Sequence, residues 1–206
     1  MKSAGKIHNA TINDMIMAVA SLAIKEYFVK NGDEKTTEIK LAMPISLREM
    51  PKDITKFRVN NSIVTLPITL PLCSEFKVAI PLISKDMNKM KKSLDPFVFI
   101  GIMKFINYFL PGFVAKQLFL DITNKMTMVF SNVPGPKTPF DFCGAKSDWM
   151  VYEGPSFATI GMACYIISHT GAVKVLIKSD KSYLKHANDL LKIFEEKFDL
   201  LIKEGK

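Results

Sequence analysis

Histidine and cysteine are scarce in this chain, with three of each among 206 residues. Cys73, Cys143 and Cys164 are widely spaced, odd in number and never form a CxxC pair. Neither a disulfide framework nor a metal site is supported, and a reducing compartment is expected. No GxGxxG or GxxxxGK[ST] stretch occurs, which removes the dinucleotide-binding and P-loop signatures. Arg-rich runs, zinc-finger spacings and Gly-flanked aromatic strands are also missing, so nucleic acid is not an expected partner. The N-terminal MKSAGKIHNATIND carries charge but no apolar h-region, and no secretory signal peptide is expected. In the most apolar part of the chain the longest charge-free run, 105–115, is eleven residues. A bilayer-spanning helix needs roughly 20, so a transmembrane span is not expected.

What the chain does have is apolar bulk and positive charge. Hydrophobic residues make up 48%, with 15 Phe and 12 Met, and Lys plus Arg outnumber Asp plus Glu by 28 to 20. The first excludes disorder and leaves apolar area for the surface. The second suits an anionic partner such as a phosphate-bearing co-substrate or an acidic membrane. A chain of 206 residues fits one domain around one core.

From Thr11 onward, Ile12, Ile16, Val19 and Ala23 recur at helical spacing, and Asp14 follows Thr11 by three residues in a capping-box pattern. The spacing predicts an amphipathic helix that Asn31 and Gly32 stop. IKLAMPISLR and NNSIVTLPITL read as strands, with Pro44, Pro67 and Pro71 confining parts of them to edges or ends. Phe76, Ile80, Ile83, Met87 and Met90 predict a second helix, kinked or started late by Pro81 and ending in Lys85, Lys89, Lys91 and Lys92. MTMVFS reads as a buried strand. FATIGMACYIIS and AVKVLIK form a hairpin about His169, Thr170 and Gly171, in which Val173, Val175 and Ile177 alternate with Lys174 and Lys178. The closing helix carries Leu184, Ala187, Leu191, Phe194, Phe198 and Leu201 as one stripe. This mixture, without strict βαβ alternation, predicts an α/β (α+β) chain with helices packed on a mixed β-sheet.

VFSNVPGPK ends one strand with Ser131 and Asn132 and continues through Val133, Pro134, Gly135 and Pro136. The prolines fix φ and the glycine permits a tight reversal. Two roles stay open on these residues alone: a polar pair that satisfies strand-end backbone groups, or a rigid turn that aims a hydroxyl and an amide at a ligand. Asn13 and Asp14 open the first helix, where Asp14 complements the helix dipole. His8, His169 and His186 are never adjacent, and each reads as a surface group rather than a general base.

ATINDMIMAV, AMPISLR, Asn60 and Asn61, SNVPGP, Gly144 with Ala145, and TIGMACYIISHTGAV, which is similar to SIGILSYNGR, occur in the order seen in one group of acyltransferases. On these motifs nearly the whole chain resembles the C-terminal half of the wax ester synthase/diacylglycerol acyltransferase family, within the CoA-dependent acyltransferase superfamily. The resemblance implies one chloramphenicol-acetyltransferase-like half, residues 1–206 as a single domain, with a tunnel between two halves where acyl-CoA meets a fatty alcohol or diacylglycerol. It also implies that the general base is a histidine of an HHxxxDG motif in the N-terminal half. The alcohol oxygen then attacks the thioester carbonyl and CoA leaves. HHxxxDG does not occur here, so the catalytic half is expected on other polypeptide, in cis or in trans. No catalytic residue, bound cofactor or metal ligand is expected in this chain, and acyl-CoA is the co-substrate of the complete enzyme. By the same resemblance Asn13, Asp14, Arg48 of PISLR, Ser131, Asn132, Val133, Pro134, Gly135 and Pro136 support the site or bind substrate.

The Phe-rich stretch DPFVFIGIMKFINYFLPGFVAKQLFLD follows the basic helix end. Phe97, Phe99, Phe105 and Phe109 suit two roles. They enter the acyl boundary of a membrane while lysines meet its headgroups, or they pack against the other half and line its acyl tunnel. The first role places the protein peripherally on the cytoplasmic side of the plasma membrane, the endoplasmic reticulum or a lipid droplet. A non-catalytic lipid-binding protein derived from the same fold is the alternative function.

Overall fold

Two antiparallel strand pairs are joined side by side through strands that run parallel. In the computed structural model, which describes residues 5, 7–48, 53, 55, 62–155, 159–184 and 186–204, the first pair is β1 (Glu38–Ser46) and β2 (Ile63–Pro71). A helical stretch follows: α2 (Phe76–Lys92), α3 (Asp95–Phe109) and α4 (Gly112–Thr123), with α1 (Ile12–Lys30) preceding β1. Then come β3 (Met128–Pro134), a small ribbon of β4 (Asp141–Phe142) and β5 (Ala145–Lys146), the pair β6 (Met162–His169) and β7 (Ala172–Ser179), and α5 (Ala187–Glu204). The main sheet has the order β2-β1-β3-β6-β7. β1, β3 and β6 are parallel, and the outer strands β2 and β7 are antiparallel to their neighbours. The expected mixed sheet with packed helices is therefore what forms. Asn60, Asn61, Phe157 and Ala158 lie outside the described residues.

The prolines sit where a missing N–H does least harm. Pro67 and Pro71 are on β2, an edge strand. Pro44 is on the inner strand β1, but β1 pairs with β3 only at Leu41 and Ala42, so Pro44 lies beyond that ladder. Pro81 falls inside α2, which begins at Phe76, so of the two expectations, a kink or a late start, the late start does not occur.

The core lies on one face of the sheet, and α1 is its centre rather than an amphipathic cover. Residues 14–24 are all buried, because α1 is enclosed by the sheet, α2 and α5. Small residues make this possible: Ala18, Ala20, Ser21 and Ala23 let neighbours approach on several sides. The Ser21 hydroxyl donates to the Pro71 carbonyl at 2.6 Å and accepts from the Cys73 N–H at 3.0 Å, fastening α1 to the end of β2. On α5 the buried stripe is Leu190, Ile193, Phe194 and Leu201, whereas Leu191 is exposed. The expected stripe holds at Phe194 and Leu201, with Leu184 and Phe198 packed against the core, but Leu191 gives its place to Leu190 and Ile193. Lys197 of α5 pairs with Glu26 of α1, which also pairs with Lys30. Those two cations hold the Glu26 carboxyl below its ordinary range, Lys197 contributing most.

The opposite face is thinner. Ala42, Val129, Ile160, Ala163 and Tyr165 form a second small cluster there, with Met126, Tyr152 and Leu176 against it.

Candidate functional site

The carboxyl ends of β1, β3 and β6 point the same way because these strands are parallel. Ligands of open α/β sheets gather at such ends. The SNVPGP segment stands at the end of β3, His169 at the end of β6 and Arg48 just past β1.

β3 is longer than the sequence suggests. Ser131, Asn132, Val133 and Pro134 stay in the ladder, opposite Tyr165, Ile166, Ile167 and Ser168 of β6. The chain leaves the sheet only at Gly135. Alternation along a strand sends neighbouring side chains to opposite faces, and this separates the polar pair. Asn132 points to the α1 face and Ser131 to the thin face, so the two do not aim at one ligand together, as the turn reading expected.

On the α1 face the Asn132 amide donates to the Asn13 side-chain oxygen at 3.2 Å across 119 residues of sequence. This bond joins the two motifs that carried the family resemblance. Asn13 in turn lies 3.7 Å from the Met17 sulfur. Beside it Asp14 closes a complete capping box: its carboxylate accepts from the Thr11 N–H at 2.9 Å, and its own N–H donates to Thr11 Oγ1 at 3.3 Å. Such a cap stabilises a helix by roughly 0.5–2 kcal/mol. The Ser84 hydroxyl of α2 donates to Asp14 Oδ2 at 3.2 Å, while Asp14 Oδ1 is buried with no partner among the described residues. The site thus has the N-terminus of α1, an anchored amide pair and an unused buried acceptor at one place.

On the thin face the Tyr152 hydroxyl lies 2.8 Å from both the carbonyl and the Oγ of Ser131. Its ring meets Tyr165 edge-on at 5.4 Å. Burial raises the Tyr152 phenol above its ordinary range, so at neutral pH it remains a donor. Sequence reasoning missed Tyr152, since nothing in its neighbourhood marks a partner 21 residues away. Val133 and Pro134 are exposed. Gly135 approaches β6 closely: a Cβ there would stand 2.3 Å from the Ser168 carbonyl oxygen.

His169 is not a surface group. It is 2% exposed, with Nδ1 3.2 Å from the Pro136 carbonyl and Nε2 3.1 Å from Ser147 Oγ. A carbonyl only accepts, so Nδ1 carries a proton, and in the neutral ring Nε2 then accepts from the serine hydroxyl. Ser147 Oγ also accepts from the Phe140 N–H at 3.1 Å, and Phe140 packs on the imidazole. With both nitrogens engaged and the ring buried, His169 clamps the chain after SNVPGP onto β6. His8 is half-buried ahead of α1, and His186 is exposed in the turn before α5 rather than on that helix. Arg48 is half-buried, its backbone N–H on Ser46 Oγ at 3.3 Å. Among the described residues no group of His, Cys, Asp or Glu is placed to hold a metal ion. A cavity of about 310 Å³ lined by Val129, Ile160, Tyr165 and Tyr183 opens on the thin face, away from Asn13 and Asn132.

The fold and its relatives agree. Over 99% of its length the chain superposes on the wax ester synthase/diacylglycerol acyltransferase from Marinobacter aquaeolei VT8, with a TM-score of 0.70 at 15% identity, covering 46% of that protein. The epimerization domain from the third module of tyrocidine synthetase B gives a TM-score of 0.64 at 13% identity, over 98% of this chain and 44% of that one. These likenesses establish the fold, a chloramphenicol-acetyltransferase-like half. In sequence, the chain is 24% identical to the O-acyltransferase WSD of Acinetobacter baylyi over 204 residues, which are 97% of this chain and 43% of that protein. The chain therefore spans less than half the length of these relatives. The family model described as WS/DGAT C-terminal domain matches residues 60–202, more than half of the chain, and on that match the chain belongs to the wax ester synthase/diacylglycerol acyltransferase family as its C-terminal domain.

Proposed function

We propose that this domain forms one wall of an acyl-transfer site, in which a complete enzyme moves an acyl group from acyl-CoA to a fatty alcohol or diacylglycerol. Wax esters or triacylglycerols are the products. The observation that carries the reading is the hydrogen bond between Asn132 and Asn13, which places both family motifs at the carboxyl end of the parallel strands. The domain supplies positioned amides, the capped N-terminus of α1 and the rigid SNVPGP segment. It does not supply the base: His169 is engaged on both sides, and HHxxxDG is absent from the sequence. A base within hydrogen-bond reach of the attacking hydroxyl then comes from an HHxxxDG-bearing half, in cis or in trans. As the alcohol oxygen bonds to the thioester carbon, its proton passes to that base and the CoA thiolate departs. Donors from both halves meet the developing oxyanion.

The test joins the chain, as a mixture or a fusion, to the HHxxxDG half of a family member and measures ester from labelled acyl-CoA with hexadecanol or diacylglycerol. Asn132→Ala, which frees Asn13 from its partner, is expected to lower the rate by roughly 100-fold while circular dichroism is unchanged. An unaltered rate in that variant would remove Asn132 from the site.

A further inference from the structure

α3 and α4 are joined by a short turn into a helical hairpin, touch each other little along their lengths, and bury residues only at its roots, Pro96 at the start of α3 and Thr123 at the end of α4. Thr123 is tied down there: its hydroxyl donates to the Leu120 carbonyl, and the Thr159 hydroxyl lies within hydrogen-bond distance of it. The turn at Leu110 and Pro111 is thus the end of the hairpin away from the sheet. α3 exposes Phe97, Val98, Ile102, Phe105, Tyr108 and Phe109. At about 100° per residue these six fall within an arc of about 140°, while Phe99 lies outside it and is half-buried. Phe105 and Phe109 meet at 4.7 Å between ring centroids and Tyr108 and Phe109 at 4.8 Å, gathering aromatic surface at the tip. Phe113, 76% exposed, continues it onto α4.

We propose that the tip of this hairpin is an interfacial anchor that docks on an anionic lipid surface without crossing it. The charge pattern selects that occupant. No charged residue lies between Lys104 and Lys116. Lys104 stands six residues before Leu110 and Lys116 five after Pro111, so at about 1.5 Å per residue both sit roughly 8–9 Å back from the turn. Lysines on both helices, flanking an uncharged aromatic turn, suit a layer of negative headgroups. Behind them charge keeps the same sign: from 85 to 125 there are seven Lys against three Asp. No helix among the described residues is long and apolar enough to cross a membrane. The anchor does not rest on the acyl-transfer reading, since vesicle binding reports the hairpin alone and Asn132→Ala reports the site alone.

Flotation of the purified chain with phosphatidylcholine vesicles, with and without about one-third phosphatidylserine, tests this. Binding to the anionic vesicles is expected, weakened by salt, and at least about tenfold lower in Phe105→Asp/Phe109→Asp. Lys104→Glu/Lys116→Glu should lose the preference for anionic vesicles while keeping its circular dichroism. For depth, Phe109→Trp in a Trp149→Phe background should be quenched more by bromine high on the acyl chain than by bromine near its end. No binding, or equal binding by the aspartate variant, overturns the proposal. So does self-association, or docking to an HHxxxDG half, that depends on Phe105 and Phe109 while vesicles are ignored.

Discussion

Substituting Gly135 probes the geometry of the SNVPGP segment most sharply. Its φ lies outside the left-handed region, so alanine can adopt the same backbone and the cost is one of space. The added methyl would meet the Ser168 carbonyl oxygen at 2.3 Å, with Ile167 Cγ1 and Cδ1 at 3.1 and 3.3 Å. Ser168 cannot retreat easily, because it is held between Pro134 of β3 and Val173 of β7. Gly135→Ala is therefore expected at the upper end of overpacking costs, about 3 kcal/mol, or on the order of 100-fold in the unfolding constant. In a domain of this size the midpoint should fall by roughly 6–12 °C. Gly101 is the control: a Cβ there meets nothing within 4 Å, and Gly101→Ala within α3 should stabilise by roughly 0.5–1 kcal/mol. Urea denaturation followed by circular dichroism measures both. Gly135→Ala within about 0.5 kcal/mol of the parent, well below the overpacking range, would refute the close approach of β3 and β6 described above.

His169→Phe keeps the ring volume but removes both hydrogen bonds; a loss of about 2 kcal/mol and faster amide exchange at Phe140 are expected, and unchanged exchange would show that His169 is no clamp. Cys143 is exposed while Cys164 is buried, its thiol pushed up to about 12 by desolvation. A thiol reagent at neutral pH should take Cys143 quickly and Cys164 only in denaturant; native labelling of Cys164 would contradict its place in the core. Glu26, whose carboxyl is held below its ordinary 4.5, contributes stability that is fully present above that value and is lost as pH falls through its lower folded value. Lys197→Gln should cost roughly 0.5–1 kcal/mol near pH 7 and much less once Glu26 is protonated in the folded state. A cost that does not change with pH would show that the pair contributes nothing.

The strands and helices were legible wherever local signals agreed. Thr11 and Asp14 announced the start of α1, and Val173, Val175 and Ile177 alternated along β7 as the sheet requires. Burial was harder to read. α1 looks amphipathic over Ile12, Ile16, Val19 and Ala23, yet only enclosure by α2 and α5 makes its other faces core. Nothing local carries that information. At the site, two motifs identified the family, but not the pleat that turns Ser131 and Asn132 to opposite faces. That depended on whether β3 ended at Ser131 or ran on to Pro134, and partners on β6 decided it. His169 was misread for a similar reason. A histidine beside a Thr-Gly turn looks exposed until the chain after Pro136 folds back over it with Phe140 and Ser147.

As proposed, this domain shapes an acyl-transfer site whose base lies on other polypeptide. The direct measurement is ester formation from labelled acyl-CoA and hexadecanol or diacylglycerol, by the purified chain alone and again after addition of an HHxxxDG-bearing half. No ester above the protein-free blank is expected in the first arm, and ester is expected in the second. Appreciable ester from the chain alone would contradict the proposal.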